Sequence, residues 1–150
     1  MRNIYILFLL SILSVPLSAQ NSPVHIPASK TLVGIWKQTG ITNPRTGKIM
    51  DVKSGNYKVI NADGTYYTFI TWGIEDPSKG TAIGQYGTYK VTSENTLVEN
   101  IVQHTMNPLL NGKNSNLKFE LIDEKTLLMA WSPNTIDWVN ERWTRMPLSL

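Results

Sequence analysis

From residue 31 onward the apolar residues fall into short runs rich in Val, Ile, Thr, Tyr and Trp. Turn residues part the runs, and no stretch holds a helical period. This pattern predicts strands. Eight runs are found, at 31–41, 56–61, 65–72, 83–92, 96–104, 117–122, 126–132 and 135–146. The segments between them differ in kind. "NADG" (61–64), "TSEN" (92–95) and "DEK" (123–125) are tight polar turns suited to hairpins. "TNPRTGKIMDVKSG" (42–55), "GIEDPSKGTA" (73–82) and "TMNPLLNGKNSN" (105–116) are long, and "SPNT" (132–135) is short.

The order of these connections carries the fold. Tight turns follow the second, fourth and sixth runs, and long loops follow the first, third and fifth. In an up-and-down antiparallel sheet, alternate connections lie at opposite ends. The expected architecture is therefore all-β: an eight-stranded antiparallel up-and-down barrel, closed at one end by tight turns and ringed at the other by long loops. Leu117, Phe119 and Leu121 share one phase opposite Lys118 and Glu120, as a one-sided wall requires. Leu127, Met129 and Trp131 share a phase, although Leu128 and Ala130 beside them are apolar too. "TYYTFITW" (65–72) is apolar or aromatic on both faces, so its outer side, with Tyr67 and Phe69, is a candidate surface for a partner subunit.

Two short motifs narrow the picture. "LVGIWKQTG" (32–40) places Gly34 two residues before Trp36 on the first run, and "ERWTRM" (141–146) places arginines on the last. A Gly-x-Trp on the first strand of an eight-stranded meander, with an arginine near the end of the last, resembles the lipocalin and fatty-acid-binding (calycin) superfamily. More narrowly, it resembles the lipocalin-like domains exported by Gram-negative bacteria. The resemblance implies that Arg145 packs over Trp36 at the closed end, with Gly34 leaving room for close approach. Arg142, three residues earlier, then points to the opposite face. An inward Arg142 would resemble the carboxylate-binding arginine of fatty-acid-binding proteins. The tyrosine that accompanies it there has no match, since Thr144 stands in that place. The two-helix lid of those proteins does not fit into residues 42–55.

Residues 1–19, "MRNIYILFLLSILSVPLSA", have one charge, Arg2, then an apolar stretch and small residues at Ser18 and Ala19. This is the layout of a secretory signal peptide, and its apolar part is shorter than a membrane span. The expected organisation is a signal peptide (1–19), a leader (20–30) and a barrel domain (31–146), in a periplasmic or secreted protein that does not span the membrane. The sequence has no cysteine, so no disulfide supports the fold. Removing Arg2 from the 14 basic residues leaves 13 against 11 acidic ones. They are interspersed, which excludes the basic stripe of a nucleic-acid binder.

By this topology Trp72, Trp131 and Trp138 fall near the long-loop end, and Trp36 and Trp143 at the base. Three tryptophans at one mouth suit an apolar pocket. The same residues also suit a filled barrel. Met106, Leu109 and Leu110 put apolar side chains on the loop after the fifth run, as a lid, a dimer contact or a plug. His104 ends that run as a polar rim residue. Glu99 lies five residues earlier on the opposite face, either inward with Arg142 as its partner or outward in solvent. No spacing of His and carboxylates suggests a metal. No nucleophile motif or phosphate loop suggests catalysis or a cofactor. The expected function is non-catalytic binding of a small hydrophobic or amphipathic ligand. The alternative is a filled barrel that pairs with another protein or with its own copy.

Overall fold

The computed structural model describes residues 31–73, 77–134 and 136–147. The expected signal peptide and leader lie outside the described residues. Among the described residues nine strands run in chain order: β1 (Gly34–Thr42), β2 (Ile49–Asp51), β3 (Asn56–Ile60), β4 (Thr65–Thr71), β5 (Thr81–Ser93), β6 (Thr96–His104), β7 (Asn114–Leu121), β8 (Thr126–Trp131) and β9 (Val139–Arg145). From β3 to β9 each strand pairs antiparallel with the next, and β9 returns to β1. The result is a closed eight-stranded up-and-down barrel with β2 as an addition. Its architecture fits a lipocalin-like fold. No helix among the described residues is long and apolar enough to cross a membrane.

The boundaries differ from expectation where side chains compete with, or join, the ladder. β2 arises inside the first long loop. It pairs with Gly40–Thr42 on the edge of β1 that β3 has left, since β3 covers only Gly34–Lys37. β7 starts three residues earlier than its apolar run, because Asn114, Ser115 and Asn116 pair with Asn100, Glu99 and Val98. The Asn100 amide donates to Asn114 Oδ1 at 3.0 Å, so this polar triplet behaves as strand and not as turn. β9 starts later than expected. Asn134 Oδ1 accepts the backbone N–H groups of Ile136 (3.0 Å) and Asp137 (2.8 Å), which holds the chain in a turn.

The core fills the lower part of the barrel, at the end with the tight turns. Trp36, Ile60, Leu97, Leu117, Leu127, Met129 and Trp143 form it, all buried. Arg145 and Trp36 close the base. The guanidinium lies 4.1 Å from the indole centre. Its nitrogens donate to the carbonyls of Val33 (2.6 Å), Thr31 (2.6 Å) and Glu124 (2.7 Å). Trp36 Nε1 donates to Leu32 O at 2.8 Å. A planar cation with several fixed donors suits this convergence of carbonyls. Gly34 is required beside it: a Cβ there would lie 2.4 Å from Arg145 Nη1, and φ is +151°. Arg145 thus lies over Trp36, and what Gly34 makes room for is the arginine side chain itself.

Candidate functional site

Inward-facing residues change character from base to rim. The base is apolar and buried. Higher up, the inward phase carries Gln38 and Lys58 on β1 and β3, Tyr66 on β4, Gln85 on β5, Glu99 on β6 and Glu141 on β9. Lys58 and Glu99 form an ion pair inside the barrel, at 6% and 4% exposure. Lys58 Nζ also lies 5.2 Å from the Tyr66 ring centre. Gln85 Nε2 donates to the Tyr66 hydroxyl and to Glu99 Oε2, the latter at 3.3 Å. Burial, and then the Glu99 carboxylate, push the Tyr66 phenol above its ordinary range, so it stays neutral. Gln38 Oε1 accepts from Ser54 Oγ (2.8 Å) and Asn56 Nδ2 (2.9 Å), which ties the first loop to the wall.

Glu141 sits above the core on the same face as Trp143 and pairs across strands with Met129. Each of its oxygens accepts one indole N–H: Trp131 Nε1 to Oε1 and Trp143 Nε1 to Oε2, both at 3.1 Å. Burial raises its pKa from the ordinary carboxylate value. Lys58 and the two indole donors pull it partly back. Trp131 lies at the rim and is 37% exposed. Thr68, Gln85, His104 and Ser115 are also only half-buried. Solvent therefore reaches the upper part of the barrel, while the side chains of the core below are buried.

The expected site residues are scattered relative to this mouth. All three predicted tryptophans lie at the long-loop end, but they do not line one opening. Trp131 faces inward. Trp138 lies on the outer wall under Lys118, whose Nζ is 4.0 Å from the ring centre. Trp72 is 50% exposed just past β4. Arg142 does not face inward. It shares the outward phase with Leu128, forms an ion pair with Asp51 of β2, and donates to Thr39 O at 3.1 Å. Arg145 takes the inward phase together with Glu141 and Trp143, so alternation sends Arg142 out.

Glu99 is inward, and its partner is Lys58 rather than Arg142. His104 was expected on the opposite face from Glu99. A bulge in β6 opposite Tyr86 and Gly87 shifts the register, so His104 pairs with inward Gln85 and joins the Glu99 face. Its Nδ1 accepts the backbone N–H of Asn107 at 3.1 Å, which anchors the following loop. Met106 and Leu109 on that loop are exposed, and Leu110 is half-buried. An open cleft of about 1010 Å³ includes none of these expected ligand residues. It draws on both faces of β7, with Lys118 and Glu120 outside and Phe119 and Leu121 inside, and reaches Thr31, Leu32 and Asn95 at the base rather than the mouth.

Sequence reading missed Lys58, Tyr66 and Gln85, and the spacing of Glu141 with Asp137 and Glu99 did not single it out as a site carboxylate. In "NYKVI" (56–60) the apolar phase is Tyr57 and Val59, which would normally face the core. The structure reverses this, because Lys58 is on the phase of Ile60, one of the most buried residues. A usable signal existed. Glu99 shares its phase with Leu97 and Ile101, and a carboxylate in an apolar phase demands a buried partner.

A comparison with curated proteins returned no match. The family described as Domain of unknown function (DUF4488) matches residues 31–149. With that coverage of the barrel, the chain belongs to this family.

Proposed function

We propose that this barrel is an exported, calycin-related binder of a small amphipathic molecule, held at the long-loop mouth without chemical turnover. The observation that carries the reading is the gradient along the inward face. Fully buried apolar side chains at the base give way to half-exposed polar ones around Glu141 and Trp131. A ligand with an apolar body and one polar group matches such a gradient, as mixed pockets with few oriented polar groups generally do. The rim loop carrying Met106 and Leu109 offers apolar contact to whatever enters. Purely hydrophobic cargo is the poorer match, since the upper interior would leave its polar groups without new partners.

Native mass spectrometry of protein purified without delipidation, together with titration by the neutral dye Nile red, tests this reading. A carried small molecule or saturable one-site dye binding is expected. If neither is seen, the binding reading fails. Fractionation of cells expressing the full chain tests export, and retention in the cytoplasm would refute it.

One observation favours a second reading, self-association through the outer wall. Tyr57, Tyr67, Phe69, Ile83 and Tyr86 share the outer face of β3–β5, and Tyr67 stacks on Tyr86 at 6.4 Å. Such a stripe suits burial against a second copy. A dimer in sedimentation that Tyr67→Glu or Phe69→Glu dissociates would support it, and a monomer at high concentration would remove it.

A further inference from the structure

We propose that the mouth is selective for a cationic amphiphile, with an ammonium group held by the Glu141 carboxylate against the face of Trp131. This rests on the reading of the barrel as a binder of amphipathic molecules and adds the sign of the charge. Lys58 is neutralised at contact by Glu99. Arg142 is outside, engaged with Asp51. These are the ion pairs found among the described residues, and neither includes Glu141. Arg145 shares the inward phase but lies at the base, bound to carbonyls, so above the base Glu141 is the carboxylate that no ion pair neutralises.

The geometry of that carboxylate is prepared for a further donor. Each oxygen accepts one indole N–H, at 3.1 Å in both cases. A carboxylate oxygen has two lone-pair directions, so each retains one. The two bonds fix the carboxylate plane without neutralising it, because indole donors are uncharged. They also fix the Trp131 ring beside it, and that ring is 37% exposed at the rim. A cation placed there meets a carboxylate and a π face together, and partial burial strengthens both attractions. Burial raises the pKa of Glu141, so its ionised form is the one that gains most from an arriving cation. A fatty-acid carboxylate at the same place would meet like charge and find no arginine. The rim loops carry Arg45, Lys48, Lys53, Lys79 and Lys113 alongside Asp137, exposed and salt-screened. Selection is thus left to Glu141 and the Trp131 ring beside it.

The test uses three probes of equal chain length below their micelle concentrations: decylamine, decanol and decanoic acid, at pH 7. Affinity is read by tryptophan fluorescence and calorimetry on the wild type, Glu141→Gln, Trp131→Leu and the outer-wall control Glu120→Gln. Decylamine is expected to bind roughly tenfold or more tightly than decanol, and decanoate weakest, in line with a charge-assisted bond. Glu141→Gln should abolish the preference while keeping decanol binding, and Glu120→Gln should leave it intact. Trp131→Leu retains the carboxylate and should weaken decylamine more than decanol, which gives a second reading should Glu141→Gln not fold. Decanoate or decanol binding as tightly as decylamine overturns the cation assignment and leaves the amphiphile reading standing. A preference that survives in Glu141→Gln overturns the role of Glu141. No binding of any probe by the wild type removes both proposals.

Discussion

Replacing Lys58 by methionine tests how the buried pair supports the barrel. Lys58 and Glu99 are 6% and 4% exposed, so water solvates neither charge. Removing the ammonium leaves the Glu99 carboxylate with uncharged neighbours only, Gln85 at 3.3 Å and the Tyr66 hydroxyl. It also deletes the cation from the Tyr66 ring. Stranding one partner of such a pair costs about 3–5 kcal/mol. That is a large share of the ~5–15 kcal/mol that holds a domain together. At this chain length it corresponds to a fall in Tm of roughly 10–20 °C. The double variant Lys58→Met/Glu99→Leu removes both charges and keeps the volume. It should recover most of the loss, because well-packed apolar replacements of buried pairs are about neutral. Urea unfolding of the wild type, both single variants and the double gives the coupling energy directly. A Lys58→Met cost below about 1 kcal/mol, the value of an exposed pair, would refute the reasoning. So would a double variant as unstable as the single.

Three further outcomes follow from the base and the mouth. Gly34→Ala should cost about 3 kcal/mol, since the new Cβ would lie 2.4 Å from Arg145 Nη1 at a φ of +151°; in urea unfolding, adding Arg145→Ala to it should cost less than Arg145→Ala does alone. Arg145→Lys retains the charge but cannot span the carbonyls of Thr31, Val33 and Glu124, so a Tm loss equivalent to about 2 kcal/mol is expected, and an unchanged Tm would show that charge alone suffices. Glu141 holds its proton to higher pH folded than unfolded, through burial opposed by Lys58 and reinforced by Glu99; the stability of the wild type relative to Glu141→Gln should therefore fall as pH rises from about 4.3, the unfolded value, through the raised folded value. A pH-independent difference in urea midpoint between the two proteins would contradict that sign.

The wall of the barrel was readable because hairpin turns and alternation are local signals. "NADG", "TSEN" and "DEK" connect the strands that they were expected to connect. The Gly34–Trp36–Arg145 base was anticipated through the resemblance that its two short motifs carry. The interior was not, because the direction in which a strand residue points depends on register. One bulge in β6 moved His104 onto the face of Glu99, and the phase taken by Arg145 sent Arg142 outside. In β3 the more apolar phase, Tyr57 and Val59, faces out, and Lys58 with Ile60 faces in. Only cross-strand pairing with Tyr66 decides which of them faces in.

The closure of β1 on β9 also sets an order in time. The bond between Thr39 Oγ1 and Arg142 O joins residues 103 apart, and the Arg145 latch reaches back as far as Thr31 at 114. Until the final strand is in place, β1 and β8 each present an open edge, and the Trp36 indole lacks its cover. Pairing at such separation delays folding, and open edges invite intermolecular pairing while it is delayed. A chain ending before residue 139 would therefore be a sticky, half-wound sheet rather than a smaller barrel. The last seven strand residues decide whether the preceding hundred are a protein or an aggregate.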